Sequence, residues 1–261
     1  MRKILGILAV AIVSAAITGG SIWYIYEDKY VFSTSYEIKL WWENWTDQFE
    51  ERIVLAEQQP KGNPYKKPYV FNDDNDWFTH KLPSWQVALQ DLVGKPGLNY
   101  LEVGVYEGRS VLWMLENVLT DPTSTVTGID IFYEMDGRYS ESLKQRYLSN
   151  IELAGAADRT MTVVGWSQEK LRELPLYNYD IVYVDASHRA PQVLEDLILV
   201  HRLLKVGGIL ILDDYRHWMH RPPMTRPKAA ADTFMEFYAN QYEILHIDYQ
   251  VILRKLEPDS I

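Results

Sequence analysis

"LNYLEVGVYEGRSVLWML", residues 98–115, decides how the rest of the chain is read. A short apolar run carries Glu102 at its end, glycines stand at 104 and 108, and apolar residues then recur at helical spacing. The pattern predicts a strand, a tight turn and a helix, the opening of a βα unit. A dinucleotide fingerprint would need a glycine where Tyr106 stands, and the Cβ of Tyr106 would crowd a pyrophosphate. A phosphate loop is also missing, because no Gly-Lys-Ser/Thr follows. The turn therefore suits a ligand that presents no phosphate to it. Alternatively it suits none, since glycine closes such turns without a ligand.

Working outward, the alternation continues. Helix-like 84–94, strand-like 99–104 and helix-like 108–119 are followed by strands over 125–130, 160–165, 179–186 and 207–215. Helical patterns over 140–155, 167–174, 190–204 and 227–240 separate or follow them, and two strands over 242–248 and 250–256 close the chain. "DIVYV" and "ILIL" are continuously apolar, as expected of parallel strands covered on both faces. The fold class is α/β, a doubly wound and mostly parallel sheet. The last two strands are close enough to pair antiparallel.

Ligands of such sheets bind beyond the carboxyl ends of the strands. Polar residues follow each apolar run there: Glu102 to Ser110, Asp130, Gly165 to Ser167, Asp185 to His188, and Asp213 to Tyr215. Asp130 ends the strand after the glycine turn, where a carboxylate can accept both hydroxyls of a ribose. A capping or solvated acid is the plainer alternative. Gly104, Gly108 and Asp130 together favour a bound nucleoside.

Glu102, Gly104, Gly108 and Ser110, then Asp130, "YDIVYVDASH" and "LLKVGGILILDDY", resemble the class I S-adenosylmethionine-dependent methyltransferases, in the branch called methyltransferase family 24. The resemblance covers roughly residues 77–255. It implies a seven-stranded Rossmann-like sheet with one reversed strand, with S-adenosyl-L-methionine as cofactor. Glu102 and the glycine turn, with Ser110, would hold its methionine end, and Asp130 its ribose. The third strand is followed by Gly165-Trp166-Ser167, where such proteins usually place an acid before the serine. Trp166 would then stack on the adenine, beside Ser167.

In that fold "VDASH" and "DDY" stand at neighbouring strand ends. Asp185, Asp213 and Asp214 would converge there, and carboxylates that face one another raise their pKa values or demand a cation. Magnesium suits an all-oxygen set, and related O-methyltransferases carry such a metal, so the resemblance implies Mg²⁺ on these three residues. The alternative is that the aspartates only cap and support turns. His188, beside Asp185, is the candidate general base, because an imidazole titrates near neutral pH. His217 and His220 could line the acceptor pocket or serve as alternatives, and His80 and His246 read more simply as structural or surface residues. Tyr133, Tyr139, Arg216 and Trp218 are acceptor-pocket candidates without assigned roles.

The N-terminus carries a separate message. After Arg2 and Lys3, 23 uncharged residues run from Ile4 to Tyr26. At ~1.5 Å per residue a helix of that length crosses a ~30 Å hydrocarbon layer. The expected organisation is a cytoplasmic tip (1–3), a single-pass membrane anchor (4–26), a stalk (27–67) rich in tryptophan and proline, and the methyltransferase domain (68–261). A cleaved signal peptide competes, since Val13-Ser14-Ala15 resembles a cleavage site. The leading cations favour a translocated body, which conflicts with a cofactor made in the cytosol.

Composition narrows the classes. A net charge of −10 speaks against nucleic acid as a partner. The absence of cysteine removes thiolate catalysis and zinc–thiolate sites. The expected activity is O-methylation of a small molecule or a sugar or glycan hydroxyl, assisted by Mg²⁺, with His188 and Asp185 catalytic. Two alternatives stay open: a non-catalytic binding module, and another nucleoside-dependent enzyme, hydroxylase-like, on the same fold. The oligomeric state cannot be read.

Overall fold

The computed structural model describes residues 22–26, 29–33, 63–71, 76–134, 137–219 and 221–257. The chain divides into two units, residues 1–53 and 54–261. In the first, β1 (Ile22–Tyr26) pairs antiparallel with β2 (Lys29–Ser33). The membrane helix expected over 4–26 thus lies outside the described residues except at its last five, and those five form a strand. Their composition, Ile-Trp-Tyr-Ile-Tyr, is β-branched and aromatic throughout, which suits a strand better than a helix end. Among the described residues no helix is long and apolar enough to cross a membrane.

The second unit is built on a seven-stranded sheet. Its strands are β3 (Asn99–Val103), β4 (Thr125–Asp130), β5 (Thr160–Val164), β6 (Tyr179–Val184), β7 (Leu204–Leu212), β8 (Tyr242–Ile247) and β9 (Val251–Lys255). They lie in the order β5-β4-β3-β6-β7-β9-β8. The five strands β3 to β7 pair parallel, whereas β9 runs antiparallel to both β7 and β8, so it alone is reversed. The order reverses at β3, which places the glycine turn and Asp130 on one side and Asp185 on the other.

Alternation along the strands sorts side chains into two cores. Tyr100, Ile181, Tyr183, Ile209, Ile211 and Ile252 pack on one face with α1 (Leu82–Ala88), α2 (Arg109–Asn117) and α3 (Glu141–Ala154). Leu101, Val103, Val182, Val184, Leu210 and Leu253 pack on the other, with α5 (Ala190–Leu203) and α6 (Pro227–Phe237). The short α4 (Ser167–Lys170) follows β5. Ser140 caps α3 by accepting from the Leu143 N–H, and Gly155 ends it in a left-handed conformation.

Two differences from the expectation bear on the site. β7 begins three residues earlier and ends at Leu212, because Asp214 adopts φ +57°, outside the extended region. Residues 65–67, assigned to the linker, dock on the domain. Lys67 donates to the carbonyls of Leu153 and Ala154 at 2.8 and 2.9 Å, covering orphan acceptors at the end of α3. The Lys66 N–H and the Tyr69 hydroxyl reach the Glu116 carboxylate on α2. This strap brings Trp77 and Lys81 toward the carboxyl ends of the strands: the Trp77 ring lies 6.1 Å from that of Tyr106.

Candidate active site

The glycine turn is shaped by crowding. Gly104 has φ +93°, and a Cβ there would stand 2.1 Å from the Asp185 carbonyl oxygen and 2.8 Å from Ala186 Cα. The ends of β3 and β6 can touch only because residue 104 has no side chain. Gly108, the N-cap of α2, has φ +87°, and a Cβ would press the Tyr147 ring at 2.9 Å. Asp130 ties this turn to the next strand end, accepting from the Tyr106 N–H at 2.8 Å and the Phe132 N–H at 2.6 Å. Desolvation raises its pKa even against these backbone hydrogen bonds.

The other turn residues separate into open and closed positions. Glu102 is fully buried, and the hydroxyls of Tyr100 and Ser110 hold its two oxygens. Burial pushes its carboxyl up to about 8, only partly offset by those two hydroxyls. Ser110 and Glu102 are thus joined behind the turn, and neither faces open space. Ser167 is also buried, at the start of α4, and its neighbour Gln168 donates to Asp196 of α5 at 2.9 Å. Trp166 is 54% exposed, its ring 6.1 Å from Tyr133. A half-buried acid and an exposed aromatic ring on successive strand ends fit a nucleoside: hydroxyls on Asp130, a base on Trp166. Such a ligand would meet the backbone of the turn, not the Glu102, Ser110 or Ser167 side chains.

At the ends of β6 and β7 the expected cluster of three aspartates divides. Asp213 is buried and saturated. It pairs with the Lys81 ammonium, takes the Tyr183 hydroxyl, and accepts from Gln250 at 3.0 Å and from the Asp214 N–H at 2.8 Å. Asp185 shares the single Tyr183 hydroxyl proton with Asp213, its Oδ2 2.8 Å from that oxygen, and lies 3.9 Å from the Lys81 ammonium. Desolvation and the charge of Asp213 push the Asp185 carboxyl well above the ordinary range. Desolvation works against a charged Lys81, yet Asp213, Asp185 and Asp214 hold its pKa above the usual value. The cation that converging carboxylates demand is therefore a lysine from outside the motifs.

Asp214 turns the other way. His188 Nε2 lies 2.7 Å from its Oδ2, and the Tyr249 hydroxyl donates to its Oδ1 at 2.6 Å. Burial opposes its charge, but the hydrogen bond and charge of His188 outweigh that and hold its carboxyl well below the usual range. For His188 burial favours the neutral ring, and the Asp214 hydrogen bond and charge overcome it, so its pKa is raised. The His188 ring contacts His217 at 4.9 Å and Trp218 at 5.5 Å between centroids. Burial lowers the pKa of His217. Among the other histidines, His80 lies at the edge of the cluster, 6.0 Å from the Tyr249 ring, and His220 lies outside the described residues.

This geometry revises the magnesium set. Asp213 has no capacity left for a metal. Among the described residues, the groups close enough to share an ion are Asp185, His188 and Asp214, whose donor atoms all lie within 4.8 Å of one another. An imidazole is a poor partner for magnesium, which prefers oxygen, and here it already spends its Nε2 on Asp214. The residues present do not fit the expected Mg²⁺ centre.

The comparisons with known proteins agree with the fold. Residues 101–215, which run from the glycine-turn strand to Tyr215, match the family model of a methyltransferase domain. The domain is a class I S-adenosylmethionine-dependent methyltransferase. The chain is 27% identical over 126 residues to the O-methyltransferase hkm8 of Aspergillus hancockii, covering 46% of this chain and 44% of that one. It is 26% identical over 178 residues to the uncharacterized protein R132 of Acanthamoeba polyphaga mimivirus, covering 66% and 73%. The fold is shared with cofactor-bound Rv0187 from MTB, at a TM-score of 0.54 and 16% identity, covering 82% of this chain and 91% of that one.

Within the methyltransferase, sequence reasoning missed Lys81, Tyr183, Tyr249 and Gln250. One signal was available. Tyr100 and Tyr183 each precede a strand-end acid by two residues and hydrogen-bond to it, as same-face neighbours at the strand period. Lys81 lies in no motif and reaches Asp213 across 132 positions of sequence.

Proposed function

We propose that this methyltransferase transfers the methyl group of S-adenosylmethionine to a hydroxyl oxygen of a small molecule or glycan, with His188 as general base. The observation that carries this reading is the His188–Asp214 pair, 2.7 Å between Nε2 and Oδ2, at the strand ends beside the glycine turn. The likeness to a fungal O-methyltransferase supports oxygen as the acceptor atom. S-adenosylmethionine supplies an electrophilic methyl group, so the protein has to position the acceptor and remove its proton. Asp130 would hold the ribose hydroxyls with the lone pairs that Tyr106 and Phe132 leave free, and Trp166 would cover the adenine. Asp214 orients the imidazole and stabilises it once it carries the acceptor's proton. Lys81 keeps Asp213 and Asp185 compatible with that step without a metal. The apolar run of residues 4–26 supports a membrane anchor for the same protein, which carbonate extraction of the full-length chain tests.

The experiment is calorimetric titration of the full chain with S-adenosylmethionine and with its demethylated product. The expected result is micromolar-range binding that is lost in Asp130→Ala and retained in His188→Ala. Turnover of an acceptor should disappear in His188→Ala and persist in EDTA. Binding by the wild type with turnover indifferent to His188 would make the dyad structural. A folded chain that binds neither nucleoside would be a binding module instead.

A further inference from the structure

A cavity of about 390 Å³ adjoins the proposed base. Trp218 is a wall common to both: its ring lies 5.5 Å from the His188 ring and also lines the cavity. Arg189, the residue after His188, lines the cavity, and so does Arg221, whose guanidinium lies 3.9 Å from the Trp218 ring centroid. The chain carries 36 acidic side chains against 26 lysines and arginines. Arg146, Arg172, Arg216 and Arg254 each pair with a carboxylate. Arg189 and Arg221 do not pair with one among the described residues, although acids outnumber cations. Two guanidinium groups left free in an acidic protein, facing one cavity, leave a site without its anion.

The backbone adds to this. Arg189 is the N-cap of α5, a helix of 14 residues, and no side chain caps it. Pro191 and Gln192, from the first turn of that helix, also line the cavity. Unpaired N–H groups and the helix dipole favour negative charge at that end. The stacking on Trp218 fixes one face of the Arg221 guanidinium and leaves its edge for a planar, bidentate partner.

We propose that the methyl acceptor is an anion, a hydroxylated compound whose carboxylate sits in the cavity between Arg189 and Arg221 while its hydroxyl reaches His188. This deepens the O-methylation reading and rests on it. The guanidinium pair would set the orientation of the acceptor, and Trp218 would carry its apolar or sugar face.

The test uses the full chain loaded with S-adenosylhomocysteine and two matched pairs: 3,4-dihydroxybenzoate against its carboxamide, and glucuronate against glucuronamide. In at least one pair the acid should bind ten times or more tighter than the amide. Arg221→Gln and Arg189→Gln should each erode that preference while leaving the affinity for S-adenosylhomocysteine unchanged. The proposal is overturned if acid and amide bind alike or not at all in both pairs, or if the preference survives both substitutions. The two readings fail separately. A wild-type chain that does not bind S-adenosylhomocysteine defeats the methyltransfer reading, whereas one that binds it without preferring the acids defeats only the anionic acceptor.

Discussion

The ammonium of Lys81 lies against the carboxylate of Asp213, with both side chains buried, at the point where β6 and β7 end. A buried pair of this kind is costly to break and cheap to replace, because removing one partner leaves the other charged and desolvated. Lys81→Met should therefore lower the unfolding free energy by about 3–5 kcal/mol. Adding Asp213→Leu should recover part of it, since Gln250 and the Asp214 N–H also lose their acceptor. Urea denaturation of the single and double variants measures both numbers.

With His188 as the proposed base, its raised pKa should set the pH dependence of the reaction. A base must be neutral to accept a proton, so kcat/KM should rise with pH through a midpoint above the ordinary 6.5. Asp214→Asn removes the charge that raises it, and the midpoint should move to lower pH while kcat falls by roughly 10²-fold. For stability the sign is the opposite. The contribution of His188 is complete below its unfolded pKa and disappears as pH rises through its folded one. A pH–rate profile that ignores Asp214→Asn would remove His188 from the mechanism.

Glu102 is the second titrating group with a clear sign. Its folded pKa, about 8, lies above the ordinary 4.5, so the folded state holds a proton that the unfolded state has released between those values. Stability should fall as pH rises across that window and level off above it. Glu102→Gln keeps the shape and removes the charge, so the variant should match the wild type near pH 5 and exceed it near pH 9. Urea midpoints at the two pH values decide the matter.

Gly104 and Gly137 make a matched test of crowding against backbone strain. Both have positive φ, but a Cβ at Gly137 meets nothing within 4 Å, whereas one at Gly104 would stand 2.1 Å from the Asp185 carbonyl. Gly137→Ala should cost about 1–2 kcal/mol, the penalty of the left-handed region alone. Gly104→Ala should cost more than that and separate the ends of β3 and β6, visible as lost cofactor binding in whatever fraction folds.

The alternation of strands and helices, the glycine turn at the end of β3, the acid ending β4 and the antiparallel closing strands were all legible in the chain, because each depends on neighbours a few residues apart. A period of two residues, a glycine at a strand end and a continuous apolar run carry their meaning locally. The fate of the polar groups was not local. Asp213 and Asp214 are adjacent in sequence, yet one is saturated by Lys81 and the other orients His188, because the backbone changes direction at Asp214. Glu102, Ser110 and Ser167 fit the family pattern and turn out to be buried, while Trp166 is exposed and Asp130 only half-buried. Whether a carboxylate meets a lysine, an imidazole, a hydroxyl or a ligand depends on which distant loops are folded against it. Burial then multiplies the energy of that choice, and only the tertiary structure makes it.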